Sequence, residues 1–263
     1  MSLFPFAGAH AVQSAAFALE WPVELSDSEM SAIAIAHDKL KASLPASSPI
    51  QTLTFQLIGN QPGVANTAPS GYLFSRPGGN GAARMLEVQK NRLIGQINDY
   101  TRWESVWKEV KGWFDVVGPI LGDKRQITHV GLQYNDVFYW RDKPETLDLS
   151  AVFRTDSPLL PPGVFKQTGL WHSHHGYLLD QTSPTPHRLL ENVNVNMLEE
   201  LGQRSILITT VHKAEFPELV GWQNLTTCLD ELMAELHKRN KAILTDLLSV
   251  EAADKISLNK GSK

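Results

Sequence analysis

A chain of 263 residues with 42% hydrophobic content carries enough apolar side chain to bury a large core, as one large domain or as two closely packed parts. Its 24 Lys and Arg against 28 Asp and Glu leave a net charge of -4, which excludes a whole-molecule basic surplus that would draw it onto nucleic acid or an anionic membrane. The single cysteine, Cys228, has no intramolecular disulfide partner and lies in an apolar helical pattern, so it reads as a small buried hydrophobe in a reducing compartment rather than as a nucleophile. The first twenty residues are Ala-rich but hold neither Lys nor Arg, which argues against a secretory signal, and no continuous apolar stretch approaches the roughly 20 residues that span a bilayer. The expected location is the cytoplasm.

In chain order, residues 11–25 begin as a strand (Val12, Phe17, Leu19, Trp21, Val23) and run into Ser26-Asp27-Ser28-Glu29, a capping box. A helix is predicted from there to about residue 43, with Met30, Ile33, Ala36, His37 and Leu40 on one face and Leu44-Pro45 as its stop. Residues 50–58 read as a strand and 60–70 as a loop. Residues 72–75 and 84–89 flank Pro77-Gly78-Gly79-Asn80-Gly81 as a hairpin, and 92–97 adds another strand. Thr101-Arg102-Trp103-Glu104 has the form of a second capping box, opening a helix whose Trp103, Trp107, Val110, Phe114 and Val117 form a stripe aimed at a core, with Gly118-Pro119 weakening its end.

Residues 127–140 show a period of two, with Val130, Leu132, Tyr134, Phe138 and Trp140 on one face. The Pro- and Asp-rich stretch 141–166 reads as a connector, which puts a boundary near residue 145. Beyond it, 189–197 and 205–212 are predicted strands, and a long helix is predicted over 224–249 with Asn224 as its cap. Residues 255–263 read as a frayed end.

Metal-capable side chains crowd together at Trp171-His172-Ser173-His174-His175. On a strand, the two-residue step puts His172 and His174 on one face and His175 on the other. With Asp180 or His187 they make a candidate zinc set of His172, His174, Asp180 and His187; surface histidines beside Trp171 and Tyr177 are the plainer alternative. Cys228 lies in a helix, no Gly-x-Ser-x-Gly elbow is present, and Gly78-Gly79-Asn80-Gly81 lacks the Lys-Ser/Thr of a phosphate loop. Lys108, Lys111, Lys124 and Arg125, with Lys238, Arg239 and Lys241, form a basic set that would meet phosphates if it shared a surface. Glu104, Glu109, Asp115, Glu231 and Glu235 nearby make a mixed solvated face the simpler reading.

The Gly169-Leu170-Trp171-His172-Ser173-His174 segment resembles the zinc-ligand segment of the JAMM metalloproteases. The resemblance implies His172 and His174 as ligands and a hydrolase of isopeptide-type bonds. Ser183 falls where that family's serine would, but the ligand position after it is Pro186, and Asp180 precedes the serine; no upstream Glu stands in a comparable strand. Over about residues 12–258 the landmarks Tyr100-x-x-Trp103-Glu104, Val130-Gly131-Leu132-Gln133-Tyr134-Asn135-Asp136, Leu229-Asp230, Leu236-His237 and Thr245-Asp246 resemble a sporadically distributed bacterial family of similar length with no assigned function. That likeness implies a structural role for these motifs, and its patchy occurrence implies mobile-element-linked defence, counter-defence or toxin neutralisation.

The sequence therefore predicts an α+β protein of two similar halves, 1–145 and 146–263, each an antiparallel sheet packed on long helices and together one globular unit. The expected function is non-enzymatic binding of another protein in the cytoplasm, with Trp171, Tyr177 and Trp222 as anchors and no cofactor unless zinc. The alternatives are a zinc-dependent hydrolase built on the His172/His174 segment and a nucleic-acid-binding protein using Lys108, Lys111, Lys124 and Arg125.

Overall fold

The computed structural model describes residues 3–51, 54–58, 61–65, 69–79, 81–122 and 125–258. The strands β1 (Leu3–Pro5) and β2 (Val12–Glu20) precede the helix α1 (Asp27–Leu40). Then come β3 (Ala46–Ile50), β4 (Thr54–Ile58), β5 (Gln61–Ala65), β6 (Gly71–Gly78), β7 (Gly81–Gln89) and β8 (Arg92–Ile97), followed by α2 (Trp103–Leu121) and the long strand β9 (Gln126–Trp140). Three short 3-10 turns occupy the stretch between β9 and β10 (His172–Gln181); β11 (His187–Glu200), β12 (Gln203–Gly221), α3 (Trp222–Leu247) and α4 (Val250–Lys255) complete the order.

Ten strands share one sheet in the order β10-β11-β12-β9-β2-β8-β7-β6-β3, with β1 also on β9, and β4 pairs with β5 apart from it. This corrects the expected fold class: the chain does not make two similar halves with a sheet each, but one large antiparallel sheet accompanied, among the described residues, by four α-helices. Period-two patterning assigns each strand its faces but not its neighbours. Here β9 stands between β2 and β12, so strands from both sides of the expected boundary are neighbours in one sheet, and β1 pairs with the far end of β9, Leu3 against Trp140.

The chain divides into two compact units, neither of them a continuous stretch: 1–15, 131–215 and 228–263 in the first, 16–130 and 216–227 in the second. In the first, Val193 and Val195 of β11 and Ile206 and Ile208 of β12 share a core with Ile243, Leu244 and Leu247 of α3. The stretch expected as a bare connector supplies Leu149, Val152, Phe153, Leu159, Leu160 and Val164 to that core.

In the second unit, Phe17 stacks on Trp103 and Trp107 at 6.0 and 5.7 Å, and Val110, Trp113, Phe114 and Val117 complete the buried face of α2. The capping box at α1 forms as predicted, with the Ser26 side chain accepting from the Glu29 amide and the Glu29 carboxylate accepting from the Ser26 amide. At α2 it does not: the N-cap is Arg102 without a side-chain bond, and the Thr101 hydroxyl lies 3.2 Å from Ser105 Oγ. The helix also runs through Gly118 and Pro119 and stops at Leu121, where Gly122 turns to φ 67°. Gly118 is needed for packing: a Cβ there would stand 2.0 Å from Trp222 Cε2.

Residues 72–75 and 84–89 form the predicted hairpin as β6 and β7, with Gly81 at φ +109°; Asn80 lies outside the described residues. Within 60–70, expected as loop, 61–65 is strand β5, while 60 and 66–68 lie outside the described residues. The third helix starts at Trp222, so Asn224 is inside its first turn rather than its cap, its carbonyl accepting from Thr227 Oγ1 at 2.7 Å.

Candidate functional site

The His-rich segment is strand β10, and β10 is an end of the large sheet. It pairs antiparallel with β11 without a register break from His172↔Asn196 to Gln181↔His187. Just before it, the Met197 amide donates to the Trp171 carbonyl at 2.9 Å across the same register. In an antiparallel pair, directly opposed residues alternate between those that exchange backbone hydrogen bonds and those that do not. Trp171 fixes the phase: Ser173, His175, Tyr177 and Leu179 turn their N–H and C=O groups to β11, whereas His172, His174, Gly176, Leu178 and Asp180 turn theirs to the outer edge. The side chains of that outward set lie on one face of the sheet, and all five residues are exposed, Leu178 at 53%.

The structure brings His172 and His174 to the same face as predicted, and puts Asp180 on that face too, but six residues beyond His174, a separation of about 20 Å along a strand. His187 is on the opposite face, buried, its Nδ1 2.8 Å from the Thr185 carbonyl. One copy of the chain therefore does not gather His172, His174, Asp180 and His187 around a point, and among the described residues no group of three His, Cys, Asp or Glu has metal-holding geometry.

The three aromatic candidates separate likewise. Trp171 is half-buried, edge-on to Phe153 at 6.3 Å. Trp222 is buried over Gly118, so its ring is part of the core. Tyr177, 36% exposed, directs its hydroxyl to Glu191. Of the basic set, Lys111 pairs with Asp115 at 2.9 Å, Lys108 is exposed, and Lys124 lies outside the described residues. Arg125 binds the Glu24 carbonyl at 2.8 Å and Glu29 at 2.6 Å, where it ties down the start of α1.

Sequence reasoning missed a buried polar cluster behind β10. Glu191 of β11 takes a hydrogen bond from His212 Nδ1 at 3.2 Å and another from Arg239 of α3 at 3.3 Å, besides that from Tyr177. Burial pushes its carboxyl up, but the bonds from His212 and Tyr177 and the charges of His212 and Arg239 outweigh burial and hold it below the usual carboxylate range. Burial, then the bond to Glu191, pushes the Tyr177 hydroxyl up to about 12. Thr210 donates to Asn240 of α3 at 2.5 Å, and the Tyr134 hydroxyl lies 3.0 Å from His237 Nδ1. Asp136, on the same face of β9 as Tyr134 and Phe138, is 1% exposed and burial raises its carboxyl to about 7. The signal was in the alternation: Glu191, His212 and Asp136 fall on the apolar phase of their strands.

A carboxylate beside an imidazole is the pairing a general base needs. His212 is fully buried and Glu191 is 3% exposed, so no substrate atom reaches the imidazole unless α3 lifts. The cluster ties α3 to the sheet. A groove of about 600 Å³ bordered by Phe153, Arg154, Thr245 and Val250 is open, but its Arg154 is held by Asp156 through bonds of 3.1 and 3.0 Å. Among the described residues no helix is long and apolar enough to cross a membrane. Compared with protein-family models and with curated proteins, this sequence matches none.

Proposed function

We propose that the protein is a cytoplasmic, non-enzymatic protein-binding molecule that accepts an extended segment of its partner along the outer edge of β10. The observation that carries this reading is the edge itself: a ten-residue strand whose five outward residues present backbone donors and acceptors on an exposed border. Protein sheets guard such borders with short strands, prolines, lysines or bulges, because an open edge recruits other strands. At the other end of the order, β3 has five residues and contains Pro49. Strand β10 is twice as long, holds no Pro or Lys, and runs in unbroken register. Backbone pairing supplies affinity in this mode of recognition, and alternate side chains supply selectivity. Here Tyr177 is held by Glu191 from beneath, and Leu178 projects from the opposite face.

A phage-displayed library of random decapeptides selected against the protein tests this directly. Enriched peptides are expected to alternate like strands and to lose binding to a Leu178→Pro variant, which removes one outward N–H while leaving the bonds to β11 in place. Selected peptides that bind the Leu178→Pro variant as well as the wild type would overturn the reading.

A further inference from the structure

We propose that the occupant of this edge is a second copy of the chain, the two β10 strands pairing antiparallel about a two-fold axis so that His172 and His174 of one copy and Asp180 of the other form a zinc-class metal site. This inference rests on the edge reading above and adds the partner's identity. Its basis is a match of register. Pairing across a two-fold axis perpendicular to the sheet opposes residues of like phase, so outward residues of one copy bond to outward residues of the other. Two registers overlap the strands almost fully, one with Gly176 on the axis and one with Tyr177 on it. With Gly176 central, His172 faces Asp180 of the second copy; with Tyr177 central, His174 faces it.

In either case the remaining histidine is the diagonal neighbour. Opposed Cβ atoms in such a pair lie about 5 Å apart and diagonal positions about 7 to 8 Å apart, within reach of imidazole and carboxylate side chains converging on one ion. The carboxylate that lies about 20 Å from His174 within a single copy thus arrives beside it from the second. Two imidazoles and a carboxylate are a zinc ligand set with one position left for water, and symmetry makes two such sites. The opposed pairs are also compatible elsewhere: neither register sets two histidines, or two carboxylates, directly against each other. Arg188, opposite Asp180 on β11, directs its guanidinium to Glu215 at 2.6 Å.

Sedimentation of the full chain, purified without a polyhistidine tag, tests this with zinc chloride or EDTA as the only difference. Dimers are expected in zinc, with self-association at least about tenfold weaker in EDTA, since a ligand that binds only the dimer favours it by mass action. The His172→Ala/His174→Ala double variant and Asp180→Ala are each expected to lose most of the zinc response. Their equimolar mixture is expected to regain it, because the mixed dimer holds one complete site; circular dichroism confirms that each variant is folded. A mixture no better than its components, or a chain monomeric with and without zinc, would overturn the proposal. A monomeric chain that still binds decapeptides in a Leu178-dependent way would overturn it while leaving the edge reading intact. A zinc-dependent dimer indifferent to Leu178→Pro would overturn both.

Discussion

Asp136 and Glu191 are both carboxylates in the interior of the first unit, and their surroundings push them in opposite directions. Asp136 has its carboxyl raised from 3.8 to about 7 by burial, so the folded state holds its proton more tightly than the unfolded state does. Stability from this group is fully present below the unfolded value and is lost as pH rises toward 7. Asp136→Asn is accordingly expected to stabilise the protein at pH 8, by at most about 4 kcal/mol, with the gain vanishing near pH 4 in urea unfolding. Glu191 has the opposite sign: its lowered carboxyl contributes stability above the unfolded value of 4.5, lost as pH falls through the folded one. Glu191→Ala leaves buried His212 without its acceptor and Arg239 with Glu235 alone, and is expected to cost about 3 to 5 kcal/mol at pH 7, measured the same way. Both residues were visible in the sequence as polar intrusions on an apolar phase. The donors that surround Glu191 come from β10, β12 and α3, and no local pattern announces such a meeting.

Among the elements, local chemistry was most legible where a motif completes itself within a few residues. The Ser26–Glu29 capping box and the β6–β7 hairpin are of that kind. Thr101 has the same motif but gives its hydroxyl to Ser105, and Asn224 sits one turn too late to cap. The end of α2 departs from the sequence expectation for a packing reason. Gly118, a weak point by helix propensity, is where the Trp222 ring lies against the helix, and the contact outweighs what glycine costs in a helix. Gly118→Ala is expected to lower stability by at least about 2 kcal/mol through overpacking, although alanine alone would favour the helix by about 1 kcal/mol. In a Trp222→Ala background the same change is expected to cost less, and a thermal-unfolding double-mutant cycle measures the difference. Additive losses would show that the two residues do not meet.

For the whole molecule, period-two patterning identified most strands and their buried faces, yet the sheet they build could not be read from it. Strand order depends on pairings between distant residues, such as Leu3 with Trp140, and it alone decides which strand is left at the border. The five residues Trp171 to His175 stand out in the sequence, and their two-residue alternation on a strand puts His172 and His174 on one face, as β10 has them. Their place at the sheet's end, which leaves the backbone of His172 and His174 facing outward, comes only from the topology, while Asp180 is out of reach within one copy because it lies six residues further along the strand. The most direct test of that account is the affinity of a selected decapeptide, by fluorescence anisotropy, for Leu178→Ala beside Leu178→Pro. Recognition through the backbone edge predicts that Leu178→Ala stays within about threefold of wild type, while Leu178→Pro binds at least about tenfold more weakly. Equal binding by both variants, or a loss confined to Leu178→Ala, would contradict it.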